Sequence, residues 1–403
     1  MKKTILKLTL IITSFAIVSC GGDSEPAPTP TPNVTTEYSG VISENVTWTK
    51  DNIYELSGRV VVPSGVTLTI EAGTVVKAYP GQEANACALI IARGGKLMAE
   101  GTASEPIIFT TTADQITNTH SNYPGFANLD ESYKGYWGGV IILGNAEISA
   151  DAAEKQIEGI PASDSNGLYG GSDNNDNSGI IRYIQIRHGG TLLGDDNEIN
   201  GLTLGGVGTG TTVEYVEVIG NVDDGIECFG GSVNINHALV WAQGDDAFDI
   251  DQSYSGTISN FMGIADAESD HALEIDGPEG SMVGQFTMTN GTLKGFYPAG
   301  GEYADFRKEA TGNLTNSYFY NFSCESDFEI DGSTNTNGAS ALTFSNLQFN
   351  TSHLADSCKN MVSEICDDQT GSNANFNATD VTTPTVGADE SKFVSWTCYF
   401  SEN

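Results

Sequence analysis

Asp223-Asp224-Gly225-Ile226-Glu227 is answered 22 residues later by Asp245-Asp246-Ala247-Phe248-Asp249-Ile250-Asp251. The alternation of apolar and acidic residues returns at His271-Ala272-Leu273-Glu274-Ile275-Asp276 and at Ser326-Asp327-Phe328-Glu329-Ile330-Asp331. Strand side chains alternate between faces, so Phe248 and Ile250 are expected inward while Asp249 and Asp251 point outward. Self-similarity at a step in the twenties is the signature of a solenoid. A second register agrees with it. Tyr183, Tyr215, His237, Asn260, Asn290, Asn316 and Asn346 each follow an apolar-polar pair, at steps of 32, 22, 23, 30, 26 and 30. Short steps read as bare coils and long ones as coils bearing a loop. Stacked Asn side chains at one corner can bond to each other and to the turn backbone. Parallel strands joined in this way wind right-handed. The fold expected is all-β, a single-stranded right-handed parallel β-helix.

The 403 residues carry a formal charge of −36. Three of the 17 basic residues, Lys2, Lys3 and Lys7, lie in a leader expected to be removed, which takes the mature chain to about −39. Such a surface excludes nucleic acid as a partner and disfavours unaided capture of polyanions, while it suits divalent cations.

Residues 1–19 combine a basic start with a short apolar core, too short for a membrane span, and read as a signal peptide. Ile17-Val18-Ser19-Cys20 fits a lipobox, so Cys20 is the expected lipidation site. Residues 20–37 include Pro26-Ala27-Pro28-Thr29-Pro30-Thr31-Pro32, an extended tether. Residues 38–403 form the body. Short β runs separated by Gly turns open it, 111–136 and roughly 150–179 read as loops, and the aromatic end Phe393–Phe400 is expected to cap the last coil. With Cys20 lipidated, six cysteines remain. Cys228 falls inward as a core thiol, and Cys358 is expected to pair with Cys366 or Cys398.

Leu68-Thr69-Ile70-Glu71-Ala72-Gly73-Thr74-Val75, Ala92-Arg93-Gly94-Gly95-Lys96-Leu97, Trp137-Gly138-Gly139-Val140 and Ile186-Arg187-His188-Gly189-Gly190 occur in that order. Asn200-Gly201-Leu202-Thr203-Leu204-Gly205-Gly206-Val207 follows, leading into Asp223-Asp224-Gly225-Ile226. The series resembles a family of β-helix lipoproteins common in Bacteroidetes, which includes a leptospiral outer-membrane lipoprotein. The resemblance implies a pectin-lyase-like fold, attachment to the outer membrane and frequent association with TonB-dependent receptors. It brings no catalytic residues.

Three site readings follow from the residues. Paired carboxylates at Asn221–Gly225 and Gly244–Asp246 could do acid-base work, as in a polysaccharide lyase or glycoside hydrolase of the pectin-lyase superfamily. The Gly-His-Gly and Arg-x-Lys elements of polygalacturonase-type enzymes are missing downstream, and Arg307-Lys308 is the only adjacent basic pair of the mature chain. A non-catalytic binding or receptor-accessory role is therefore preferred. The second reading is Ca²⁺ beside the acidic turns. Glu227, Asp249, Glu274, Arg307 and Glu329 are expected to stack at ~4.8 Å, with Asp223, Asp224, Asp245, Asp246 and Asp251 nearby as hard oxygen ligands. Two carboxylates ~5 Å apart repel by roughly 3 kcal/mol at an effective dielectric near 20, and a solvated acidic face is the plain alternative. Asp173–Gly179 only approximates an EF-hand start. The third reading is an outward apolar stripe of Leu239, Trp241, Met262, Ile264, Tyr318 and Tyr320. With Arg307 it is expected to face a protein or glycan partner, unless the C-terminal tail or a loop covers it.

Overall fold

The computed structural model describes residues 34–82, 85–191, 199–298, 301–330, 342–354 and 376–403. Twenty-four strands join in one sheet whose pairings are all parallel, coil upon coil, as the 22-residue step requires. Among the described strands, only Lys155–Gln156 and Leu168–Tyr169 pair antiparallel, within a surface loop. The protein is a parallel β-helix.

From Gly179 onward each coil has the same plan. A strand such as Thr212–Ile219 or Asn234–Trp241 bends midway, and a short strand such as Ile226–Phe229 follows after a turn. The bend is the corner column. Tyr183, Tyr215, His237, Asn260, Asn290, Asn316 and Asn346 all hold φ between 49° and 59°, the left-handed region that Asn tolerates best among residues with a side chain. The column is also a side-chain ladder. Tyr183 stacks on Tyr215 at 4.2 Å between ring centroids, Asn260 Nδ2 lies 2.9 Å from His237 Nδ1, and Asn346 donates to Asn316 Oδ1 at 2.7 Å.

Inward residues fill the solenoid. Leu202, Ile226, Phe248 and Leu273 stack in one row, and Leu204, Cys228, Ile250, Ile275 and Phe306 in the next, all buried. Cys228 is a free core thiol, as expected.

The tail does not cap the last coil. It returns along the outside of the sheet, crossing earlier coils in reverse order. Gly387 N–H donates to Asn316 O, Ala388 N–H to Thr292 Oγ1, and Gln185 Nε2 to Trp396 O at 2.7 Å. Phe393, Trp396 and Cys398 are fully buried there against Ile219, Leu239, Trp241, Met262 and Ile264. Burying that apolar surface is worth roughly 25 cal/mol per Å², enough to hold the strap on the sheet rather than in solvent. Cys398 is free and buried, which removes a Cys358–Cys398 bridge. Cys324 is disulfide-bonded, while Cys20, Cys358 and Cys366 lie outside the described residues, as does Asp331.

Candidate functional site: the acidic sheet

The short strands Ile226–Phe229, Phe248–Asp251, Leu273–Asp276, Ala304–Arg307 and Phe328–Ile330 form one flank of the helix. Their outward residues stand in two columns. Glu227 pairs in register with Asp249, Asp249 with Glu274, Glu274 with Asp305, and Asp305 with Glu329. Asp276 pairs with Arg307 in the second column, alongside Asp251. The expected placement of Arg307 between Glu274 and Glu329 is thus two residues out. Phe306 must face inward to pack on Ile275, so Asp305 takes the acidic column and Lys308 lies in the turn. Arg307 is bound to Glu274 and Asp276, and Lys308 also reaches Asp276.

Loop residues 144–171 shield the first of these outward acids from solvent. The flank begins apolar, with Ile90, Ile141, Leu143 and Phe229 under Ile148, Ile157, Ile160 and Tyr169 of the loop. The loop then reaches over the acids: Tyr169 OH donates to Gln252 Oε1 at 3.1 Å, and Lys155 Nζ lies 3.0 Å from Glu279. Asn200, fully buried, bonds Glu227, while Glu158 of the loop accepts from the same amide at 3.5 Å.

Two acidic groupings consist wholly of residues expected from the sequence, while Asp270 joins a third and His271 a fourth. Asp223, Asp224 and Asp245 have carboxylate oxygens within 4.8 Å of one another; so do Asp224, Glu227 and Asp249. Asp245, Asp246 and Asp270 form the third, and Asp246, His271 and Glu274 the fourth. Asp251 belongs instead beside Asp276. Burial first, then neighbouring carboxylates, raises Asp224, Glu227 and Asp249 well above the ordinary carboxylate range and brings Asp251 up to about 7. Asp249 and Asp251 each keep one buried oxygen without a hydrogen-bond partner, as does the Asn200 carbonyl. Oxygen-only donors in this arrangement suit a hard cation such as Ca²⁺.

Not every acid here is spare. Asp224 Oδ1 accepts the Asp246 N–H at 3.0 Å, and Asp246 Oδ1 accepts the His271 N–H at 2.8 Å, so the column ties each turn to the next. Burial would lower the His271 imidazolium, but the Asp246 bond and the charges of Asp246, Asp270 and Glu302 outweigh it and lift it to about 9. Sequence reasoning missed Asp270, His271, Asp276, Asn200 and Glu158 as members of the site. His271 and Asp276 were within the quoted repeat; Asn200 and Glu158 carry no periodic signal.

The stripe does not face a partner. Leu239, Trp241, Met262 and Tyr318 are buried and Tyr320 is half-buried, because the strap and Phe126 cover that face. Arg307 lies on the acidic flank, among its three carboxylates. In the Asp173–Gly179 turn both Asp176 oxygens are taken by protein donors, one by Asn145 Nδ2 and the other by Ser178 Oγ.

No curated protein and no solved structure matches the chain. The family model described as a pectate-lyase like beta helix domain matches residues 40–400, nine-tenths of the sequence and every coil described above, and the chain belongs to that family.

Proposed function

We propose that the chain is a lipoprotein of an outer membrane, lipidated at Cys20, whose β-helix is a non-catalytic, Ca²⁺-binding platform for a protein or glycan partner. Its resemblance to Bacteroidetes lipoproteins makes a TonB-dependent receptor the partner to test first. The observation that carries the binding reading is the grouping of Asp224, Glu227 and Asp249. Their oxygens converge within 4.8 Å. A cation that bridged them would relieve the mutual repulsion and offer a coordination point to an incoming anionic or hydroxyl-rich ligand.

An enzyme of the pectin-lyase superfamily is the second reading, favoured by Lys308 and Arg307 beside Asp251 and Asp276. Both cations are held in ion pairs with Asp276, which argues against either as a free base. Two measurements test the proposal. Cys20→Ala should lose lipid labelling and outer-membrane retention; unchanged fractionation sinks the anchor. Millimolar Ca²⁺ should raise the melting temperature relative to chelator, by an amount that grows with the logarithm of free cation. Asp249→Asn/Asp251→Asn should reduce that rise, and equal melting in both buffers for the wild type removes the cation.

A further inference from the structure

A cavity of about 290 Å³ opens beside the turns that follow the strap sheet, lined in part by Asp270, Glu302, Glu325, Ser269, Ser323 and Ser326. Its hydroxyl protons are already committed. Ser269 donates to Gln243 O at 2.7 Å and Ser326 to Gly301 O at 2.8 Å. With Ser326 so oriented, the 3.1 Å contact between Ser323 Oγ and Ser326 Oγ takes the Ser323 proton. The three hydroxyls therefore bring no free proton to the cavity, and the other three of these side chains are the carboxyls of Asp270, Glu302 and Glu325, Glu302 sharing a hydrogen bond with Asp327. Neutral hydroxyl ligands need both kinds of partner; a group with several N–H donors and a positive charge needs only acceptors.

The rim adds an apolar element. Pro298 lines the cavity. A space of this size, walled by acceptors and by the proline ring, suits an organic cation better than a bare metal ion. The same turn already captures one ammonium group: Lys134 Nζ lies 2.7 Å from Asp266 and 3.1 Å from Glu268, with its side chain 7% exposed. From the lining, the rim and this precedent we infer that the cavity binds a small organic molecule through a primary ammonium group.

The inference does not depend on the Ca²⁺ reading, and titration in chelator separates the two. Full-length protein is titrated calorimetrically with glucosamine and with putrescine, each against its uncharged counterpart, N-acetylglucosamine and 1,4-butanediol. Saturable binding of an amine is expected, with the uncharged counterpart at least tenfold weaker. Glu302→Gln and Glu325→Gln should each weaken the amine by roughly tenfold or more, the scale of one hydrogen bond to a charged group. Their melting temperatures check that the fold is kept, and the comparison of amine with counterpart on the wild type stands whether or not they fold. Absence of saturable binding by both amines, equal binding of the uncharged compounds, or undiminished binding in folded variants overturns the inference.

Discussion

Glu217 accepts the backbone N–H of Cys398 at 2.7 Å, across 181 residues of sequence, and that of Tyr399 at 2.9 Å. The two donors open the short C-terminal helix Cys398–Glu402, and the acceptor projects from the middle of a β-helix coil. The carboxylate is fully buried, and burial pushes it up to about 7 against the opposing pull of those N–H groups and Arg187. Removing it leaves two buried donors unsatisfied, at about 1–3 kcal/mol each. Glu217→Ala is expected to lower stability by more than Glu217→Gln, which retains one acceptor, and to expose the strap to carboxypeptidase. Equal urea midpoints for Ala and wild type would show that the strap is held by its aromatic contacts alone.

Those contacts set the second prediction. Trp241 packs edge-on against Tyr399 at 5.0 Å and at a tilt against Phe126 at 5.7 Å, so it joins the sheet, the strap and the loop after Thr111. Truncating a buried Trp costs about 3–5 kcal/mol. Trp241→Ala should therefore produce a steep fall in melting temperature. A variant that melts like wild type would place Trp241 outside the core.

Period and parity made the coils legible, and they also explain where reading from sequence stopped. The corner column from Tyr183 to Asn346 and the inward row from Ile226 to Leu273 follow from counting, because each coil meets the same steric demand. The acids could be assigned an outward face by parity, yet parity is silent on what lies over that face. Leu239 and Trp241 have the same outward parity as Asp249. The strap buries the first pair, while the 144–171 loop crowds the acidic flank. Coverage of this kind is contact between segments far apart in the chain and leaves no local periodicity. Arg307 failed for another reason: an inserted loop between coils hides the register, and only the inward demand of Phe306 restores it.

The corner column itself offers a clean test of backbone strain. Asn316 holds φ 53° and accepts the Asn346 amide at 2.7 Å. Asn316→Gly loses the side-chain bond but relieves the left-handed backbone, whereas Asn316→Ala loses the bond and adds a left-handed cost of about 1–2 kcal/mol. Urea denaturation should rank wild type above Gly and Gly above Ala. If Ala equals or exceeds Gly, the column is not conformationally demanding at this coil.

The dependence of stability on pH gives the most direct reading of the acidic flank. Unfolded carboxyls titrate near ~4, whereas in the fold burial raises Asp224, Glu227 and Asp249 well above that range and Asp251 to about 7. Between those values the native state holds more protons than the unfolded chain, so stability must fall as pH rises through the window. His271 adds a term of the same sign. Its folded value of about 9 lies above the unfolded value of ~6.5, so its contribution is complete below ~6.5 and is lost as pH rises through 9. In chelator the melting temperature is therefore expected to decline steadily from about pH 5.5 to pH 9. Ca²⁺ and protons compete for the same oxygens, so the stabilisation by millimolar Ca²⁺ should be small at the acid end and largest at the alkaline end. The double variant Asp249→Asn/Asp251→Asn removes two of the shifted groups and should flatten both curves. A melting temperature independent of pH in chelator would mean that these carboxylates are solvated in the native state. A Ca²⁺ shift that is larger at acid pH would place the ion on groups other than the acidic column.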